Sequence, residues 1–182
     1  VTSNKPQAIL DKIEYHKDTQ VIIWTVFDEE GDILERKLRE SRRVAHITGK
    51  TKPADRLKAI DNFRHGELDV IISKPRILGF GLNFQFCYIE MFSGLQDSYE
   101  QYFQAVKRVH RYGQFHQVLI YLFYTPYEEV IIQNVLKKQK SMEQDFNYQE
   151  RLYINSLADE LKDFLLLEDY TFMDELQTIK YE

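Results

Sequence analysis

Residues 21–27 have the sequence Val-Ile-Ile-Trp-Thr-Val-Phe, in which every residue except Thr25 is apolar. A continuous run of apolar, β-branched and aromatic residues predicts a strand that is buried on both of its faces. Further runs predict strands at residues 44–47, 70–72, 86–92 and 118–124. Because helical patterns lie between these runs, the predicted fold class is α/β, a mostly parallel sheet flanked by helices.

The spacing of apolar residues predicts helices over residues 4–17, 33–38, 53–66 and 97–111. Pro53 marks the start of the third helix and Gly66 its end, since proline is favoured in the first helical turn and glycine just after the last. Residues 125–128, Thr-Pro-Tyr-Glu, form a capping box that opens a further long helix. Apolar periodicity resumes over residues 152–165. We therefore predict an α/β domain at residues 1–136 and an acidic helical C-terminal extension at 137–182.

The composition excludes several classes of protein. The chain has 182 residues, of which 43% are apolar and 29% charged, and this balance is typical of a globular domain rather than a disordered chain. Cys87 is the single cysteine, which excludes a disulfide framework and a cysteine-based metal cluster. No stretch approaches the roughly 20 consecutive apolar residues of a membrane span. We therefore expect a cytoplasmic protein without a membrane partner.

Charge is distributed unevenly along the chain. Residues 35–76 contain twelve basic and six acidic residues, whereas residues 140–182 contain four basic and eleven acidic residues. A basic middle segment can attract a polyanion, provided that its side chains share one surface. The alternative is that these charges lie on ordinary solvated helix faces.

Two segments carry the candidate chemistry. Residues 73–83 contain Gly79 and Gly81, and glycine lets a backbone approach a phosphate closely, although a plain turn has the same requirement. Parallel sheets usually bind ligands at the carboxyl ends of their strands, where this segment begins. Helical spacing then predicts that Gln104, Arg108 and Arg111 share one face, where two guanidinium groups could clamp an anion. The alternative is a surface helix whose arginines pair with acids.

These segments carry a resemblance to a known family. Residues 104–114, Gln-Ala-Val-Lys-Arg-Val-His-Arg-Tyr-Gly-Gln, resemble the last conserved motif of Swi/Snf-type DNA translocases, a branch of the superfamily-two helicases. Residues 79–84, Gly-Phe-Gly-Leu-Asn-Phe, resemble the glycine-rich motif before it. The resemblance covers roughly residues 20–135. The sequences of residues 73–75 and 92–94 most resemble those of family members found in phages and mobile elements.

The resemblance implies a RecA-like fold of the P-loop NTPase type and the role of the second, C-terminal motor lobe. ATP and Mg²⁺ would be held mainly by an N-terminal lobe, whose phosphate-binding loop and magnesium-binding acids have no match in this sequence. By resemblance, Arg108 and Arg111 would be arginine fingers, and Gln104 would sense the γ-phosphate. Gly79, Gly81 and Asn83 would lie beside the nucleotide. The chain alone is expected to lack ATPase activity.

The resemblance also implies an edge of the lobe that grips the phosphates of double-stranded DNA. The candidate residues follow the predicted strands: Thr25, Thr48, Lys50, Ser73 and Lys74. Two departures from the family pattern matter. The hydroxyl expected after the third strand is one residue early, which leaves the phosphate contact open between Ser73 and Lys74. Lys107 stands where glycine commonly precedes the first arginine.

Two other classes of function are weighed against a DNA translocase lobe. One is a non-catalytic RecA-like module that binds nucleic acid or protein without using a nucleotide. The other is an independent small-molecule enzyme, which is disfavoured because no nucleophile–base pair stands out. No metal site is predicted, since the five histidines lack the spacing of metal ligands: His16, His46, His65, His110 and His116.

Overall fold

A computed structural model describes residues 4–78, 82–96, 98–142 and 144. It contains one sheet of five parallel strands in the spatial order β2-β3-β1-β4-β5. The strands are β1 (Val21–Trp24), β2 (Val44–Ile47), β3 (Val70–Ser73), β4 (Ile89–Phe92) and β5 (Leu119–Leu122). The predicted α/β fold with a parallel sheet is therefore confirmed. β1 is shorter than the predicted run because Phe27 already caps the following helix.

Helices lie between the strands as predicted. They are α1 (Lys5–Tyr15), α2 (Asp28–Leu38), α3 (Pro53–Arg64) and α4 (Tyr99–Val109). Pro53 occupies the first turn of α3, and Gly66 adopts a positive φ of 72° just beyond it. A short 3-10 helix (Pro126–Glu128) follows β5 and leads into helical residues 129–142.

The two faces of the sheet are both buried, because successive strand residues point to opposite sides. Ile22 and Trp24 lie in a core shared with α3, α4 and helical residues 132–135. Val21 and Ile23 lie in a second core shared with α1 and α2. This arrangement explains the absence of polar residues from the strand itself, Val21–Trp24: a polar side chain on either face would lose its hydration without gaining a partner.

The direction of the strands defines two edges of the sheet. We call the side where the strands end the carboxyl edge and the side where they begin the amino edge. Each helix returns the chain from the carboxyl edge to the amino edge, so the last turn of α4 lies toward the amino edge, before β5 begins. The described residues 82–88, which precede β4, lie toward the amino edge as well. The candidate residues are consequently divided between the two edges.

The predicted capping box closes the domain at the carboxyl edge. The N–H and hydroxyl groups of Thr125 donate to the Glu128 carboxylate at 2.7 and 2.9 Å. Lys5, at the start of α1, donates to the same carboxylate at 2.9 Å. This contact connects the first helix to the segment after the last strand.

The C-terminal part of the chain is described only in part. The proposed boundary after residue 136 falls within helical residues 129–142 and stays a prediction, and most of the predicted acidic extension, residues 143 and 145–182, lies outside the described residues. Among the described residues, no helix combines the length and the apolar character that crossing a membrane requires.

Candidate functional site

Arg108, in the last turn of α4, and Arg111, in the turn that follows, bring two guanidinium groups close together. Arg108 is only 8% exposed, and its Nη2 donates to Gln104 Oε1 at 3.3 Å, one turn earlier on the helix. Arg111 is exposed and donates through Nη1 to the carbonyl oxygen of Leu82 at 3.5 Å. Burial, and then the positive charge of Arg111, lower the pKa of the Arg108 guanidinium. The two charges are thus close enough to interact.

The prediction that all three side chains share a helical face is wrong for Arg111. α4 ends at Val109, and His110 has φ −82° and ψ 85°, so the chain has left the helical conformation before Arg111. Gln104 and Arg108 do share a face, as their hydrogen bond shows. Arg111 reaches the same neighbourhood from the turn that follows.

The arginines do not form the acid pairs that would mark an ordinary surface helix. Within the described part of the chain, neither Arg108 nor Arg111 forms a salt bridge with a carboxylate. The Nε atom of Arg108 is also buried without a hydrogen-bond partner. A buried, unpaired donor on a cation is costly. The geometry therefore suits an anion supplied from outside this domain.

Asn83 lies beside the arginine pair. The backbone N–H of Phe84 donates to the carbonyl oxygen of Arg108 at 2.9 Å. The side chain of Asn83 is held in a local turn, in which its Oδ1 accepts from the Gln85 N–H at 3.0 Å. Gly79 and Gly81 lie outside the described residues. Asn83 does not lie at the carboxyl edge, because the next residue, Phe84, already contacts the end of α4 at the amino edge.

Gln114, in the loop after α4, belongs to the motif at residues 104–114 but was not among the predicted site residues. Gln114 Nε2 donates to the carbonyl oxygens of Gln85 and Cys87, both at 2.9 Å. Its Oε1 accepts from the His116 N–H at 2.9 Å. Gln114 thereby joins the loop that follows Arg111 to the segment that follows Asn83. Its position as the last residue of the motif at residues 104–114 is the sequence signal that could have identified Gln114.

The other candidate residues lie at the carboxyl edge. Thr25 directly follows β1, is 2% exposed and has an Oγ1 atom without a hydrogen-bond partner in the described part of the chain. Ser73 is fully buried and donates its hydroxyl to the Ile47 carbonyl oxygen at 2.7 Å. Lys74 Nζ forms an ion pair with Asp28 at 3.1 Å. A small cleft is lined by Thr25 and Lys74, together with Trp24, Arg76 and Gln101.

Thr48 and Lys50 belong to the turn between β2 and α3. The Thr48 hydroxyl accepts from the Lys50 N–H at 3.2 Å, and the Thr48 N–H donates to the Thr51 hydroxyl at 3.0 Å. These bonds shape the turn, and the Lys50 side chain is exposed. The structure therefore places Thr25, Thr48, Lys50, Ser73 and Lys74 at one edge, opposite the arginine pair.

Several bases of the middle segment contact other groups of the fold. Arg39 pairs with Glu35, Arg43 pairs with Asp69, and Arg42 donates to backbone carbonyls beyond the end of α1, including that of Thr19. These bases stabilise the fold locally. Three lysines near the start of α3 are exposed and form no salt bridge with a described residue: Lys50, Lys52 and Lys58.

A family model described as helicase conserved C-terminal domain matches residues 4–113, which is more than half of the chain. The chain belongs to the helicase conserved C-terminal domain family. The matched segment contains β1 to β4, α1 to α4, and the arginine pair.

Individual relatives agree with this membership. Chromatin remodeling factor mit1 from Schizosaccharomyces pombe is 31% identical over 125 residues, which make up 65% of this chain and 9% of that protein. This helicase C-terminal domain thus spans less than a tenth of that relative. The C-terminal part of the Fun30 ATPase domain has a TM-score of 0.66 and 27% identity, and the match covers 74% of this chain and 46% of that one.

A DEAD-box protein has the same fold. The C-terminal domain of the DEAD-box protein Dbp5 has a TM-score of 0.62 and 20% identity, with 75% of this chain and 79% of that one covered, and this likeness shows the fold alone. The helicase C-terminal domain described here is therefore a RecA-like C-terminal lobe of the superfamily-two type, with Swi/Snf-like relatives.

Three side chains of this helicase lobe come together in a way that the sequence did not indicate. Ligand atoms of Asp32, Glu35 and His46 lie within 4.8 Å of one another. His46 Nδ1 is 3.0 Å from Asp32 Oδ1, and Glu35 Oε1 already accepts from Arg39 at 2.8 Å. The group lies at the edge strand β2, which β3 and β1 separate from β4. It is thus remote from the arginine pair and serves as a structural contact between α2 and β2.

Proposed function

We propose that this chain is the second motor lobe of an ATP-dependent DNA translocase, whose first lobe holds most of the ATP and Mg²⁺. The observation that carries the proposal is the arginine pair. Arg108 and Arg111 bring two guanidinium groups together without a carboxylate partner among the described residues, and Arg108 keeps a buried donor unpaired. An anionic triphosphate fits this cationic pair.

The two arginines would act by charge stabilisation. When bound, ATP with Mg²⁺ supplies the phosphoryl group that is transferred to water. Guanidinium groups stay protonated at neutral pH, so Arg108 and Arg111 would stabilise the negative charge that develops during this transfer. Gln104 would position Arg108 through its hydrogen bond and sense the γ-phosphate. Gly79, Gly81 and Asn83 would lie beside the nucleotide.

The carboxyl edge would grip DNA. Thr25, Thr48, Lys50 and Lys74 follow parallel strands, and hydroxyl and ammonium groups are suitable donors to phosphates. Both residues left open by the sequence already have a partner: the Ser73 hydroxyl donates to Ile47, and the Lys74 ammonium pairs with Asp28. Lys74 is the better candidate, because Ser73 is fully buried whereas the Lys74 side chain is partly exposed. Phosphate contacts do not depend on base sequence, which suits a motor that moves along any duplex.

The separation of the two groups supports a mechanism for movement. The arginine pair lies at the amino edge and the proposed DNA residues at the carboxyl edge, on opposite sides of one rigid sheet. Closure of the lobes over ATP at one edge would displace the grip on DNA at the other, and hydrolysis would release it. The chain without its first lobe would hydrolyse little or no ATP.

The chain would belong to the branch of the family that is found in phages and mobile elements. Its sequences Ser-Lys-Pro at residues 73–75 and Phe-Ser-Gly at residues 92–94 support this assignment. A position of the gene among phage or mobile-element genes would agree with this assignment. A position within an ordinary chromosomal operon of the host would contradict it.

The test is DNA-stimulated ATP hydrolysis by the protein that contains both lobes. Arg108→Ala and Arg111→Ala should each lower kcat by about a thousandfold or more, the scale at which arginine fingers act. Lys107→Ala is the matched control, because Lys107 is exposed on the same helix and its ammonium lies over the Phe103 ring. Near-normal hydrolysis by both arginine variants would contradict the proposal and favour a non-catalytic binding module.

A further inference from the structure

Two aromatic side chains in the loop after α4 have almost no contact with the rest of the domain. Tyr112 is fully exposed, and Phe115 is 94% exposed. Aromatic side chains of this size usually bury a large apolar area, and exposed ones close together commonly mark an interaction surface. We call Tyr112 and Phe115 the aromatic pair.

The loop that carries the aromatic pair is held in one conformation. Gln114 lies between the two aromatic residues, and its side chain makes three hydrogen bonds, to Gln85, Cys87 and His116. Gly113 adopts a φ of 94°, a conformation that side-chain-bearing residues rarely adopt. The ordering of this loop is therefore achieved before any partner binds, which lowers the entropic cost of docking.

The position of the loop decides between the possible partners. Tyr112 follows Arg111 directly, so the aromatic pair lies at the amino edge beside the arginine pair. The residues proposed to bind DNA lie at the carboxyl edge, so the duplex is not the expected partner of this loop. The surface that meets the amino edge when the cleft closes belongs to the N-terminal lobe.

We propose that Tyr112 and Phe115 dock into an apolar surface of the N-terminal lobe when the two lobes close over ATP. The inference rests on the proposed function. The Gln114 side chain turns inward, onto Gln85 and Cys87, and the two rings are the large apolar groups that the loop presents outward. The complementary surface is therefore apolar, and docking would secure the arginine pair against the nucleotide.

The experiment measures closure in the protein that contains both lobes. A fluorophore on each lobe reports the distance between them while a non-hydrolysable ATP analogue is titrated in the presence of DNA. The double substitution Tyr112→Ser with Phe115→Ser should raise the analogue concentration for half-closure by about tenfold or more, the scale of aromatic interface anchors. DNA affinity without nucleotide should not change.

The control is Tyr127→Ser, because Tyr127 is 93% exposed but follows β5 at the carboxyl edge. It should leave closure unchanged. Urea unfolding of the double variant should match that of the unchanged protein, since neither ring is buried in the domain. An unchanged closure curve for the double variant would overturn the inference. A shift with the ATP analogue that is absent with a GTP analogue would also overturn it, because the rings would then contact the base.

This outcome is separable from the failure of the proposed function. If the arginine variants lose hydrolysis while the aromatic double variant closes normally, only the docking inference fails. If the arginine variants hydrolyse ATP normally, the proposed function itself fails.

Discussion

The backbone N–H of Phe84 donates to the carbonyl oxygen of Arg108 at 2.9 Å. This bond satisfies one of the carbonyl groups that every helix leaves unpaired in its last turn. The Phe84 ring is fully buried and packs edge-on against the rings of Phe63 and Phe86, which also contact each other. The hydrophobic core thus holds the segment of Asn83 against the end of α4, and the site depends on that packing.

The proposed grip on DNA predicts a change in salt dependence. Lys50→Glu and Lys74→Glu should each weaken duplex binding by the protein that contains both lobes. The slope of log K against log salt should become shallower by about 0.9 for each phosphate contact that is lost. The measurement is a binding titration without nucleotide at several salt concentrations.

Lys17→Glu serves as the control for charge reversal, because Lys17 is exposed and precedes β1 at the amino edge. Its affinity and slope should stay close to those of the unchanged protein. Equal losses in all three variants would mean that net charge, and not the carboxyl edge, governs binding.

Because of the buried Glu90 carboxyl, we expect the free energy of unfolding to fall as the pH rises. Glu90 is fully buried on β4, and its Oε1 accepts from the Trp24 indole N–H at 2.8 Å. Burial raises the pKa of the Glu90 carboxyl from 4.5 to about 8. Between these values the folded chain keeps a proton that the unfolded chain releases, so this group lowers the free energy of unfolding by about 1.4 kcal/mol per pH unit.

The Glu90→Gln variant tests this pH dependence, since glutamine mimics the protonated carboxyl. Its free energy of unfolding should be close to that of the unchanged chain near pH 4 and exceed it by about 4 kcal/mol at pH 8.5. Urea unfolding followed by the fluorescence of Trp24, the single tryptophan, measures both. A difference that does not vary with pH would show that Glu90 is ionised in the folded state.

We expect alanine at position 31, inside α2, to lower the free energy of unfolding. A Cβ at this position of α2 would overlap the imidazole of His46. Alanine normally stabilises a helix by about 1 kcal/mol relative to glycine. Here we expect Gly31→Ala to lower the free energy of unfolding by about 1–3 kcal/mol, because the overlap forces the buried ring to move. Urea unfolding measures the change.

Two further variants identify the cause. Gly49→Ala should have little effect on stability, because a Cβ there meets nothing within 4 Å. In a chain that already carries His46→Ala, Gly31→Ala should regain the ordinary stabilising effect of alanine. A Gly31→Ala chain that is more stable than the unchanged protein would show that His46 moves aside at no cost.

Much of the fold was predictable because its determinants are local. The β1 run needed apolar residues on both faces, and Pro53 and Gly66 marked the limits of α3. The capping box at Thr125 was likewise predictable, since its two partners, Thr125 and Glu128, are three residues apart. The order of the strands is not a local property, and alternating strands and helices alone left it open.

The site was harder to predict because its geometry depends on distant contacts. Helical spacing suggested a shared face for Arg108 and Arg111, but the helix ends between them, and the bond from Arg111 to Leu82 decides where Arg111 lies. The Ser73 hydroxyl is occupied by a carbonyl from the neighbouring strand, which residue order does not reveal. The anchoring role of Gln114 also depends on a segment 27 to 29 residues earlier.

The most direct test of the central claim compares two nucleotide states in the protein that contains both lobes. Arginine fingers stabilise the transition state more than the ground state. The Arg111→Ala variant should therefore bind a non-hydrolysable ATP analogue within about threefold of the unchanged protein, and bind ADP with aluminium fluoride about a hundredfold more weakly. Equal affinity of the variant and the unchanged protein for ADP with aluminium fluoride would contradict the account.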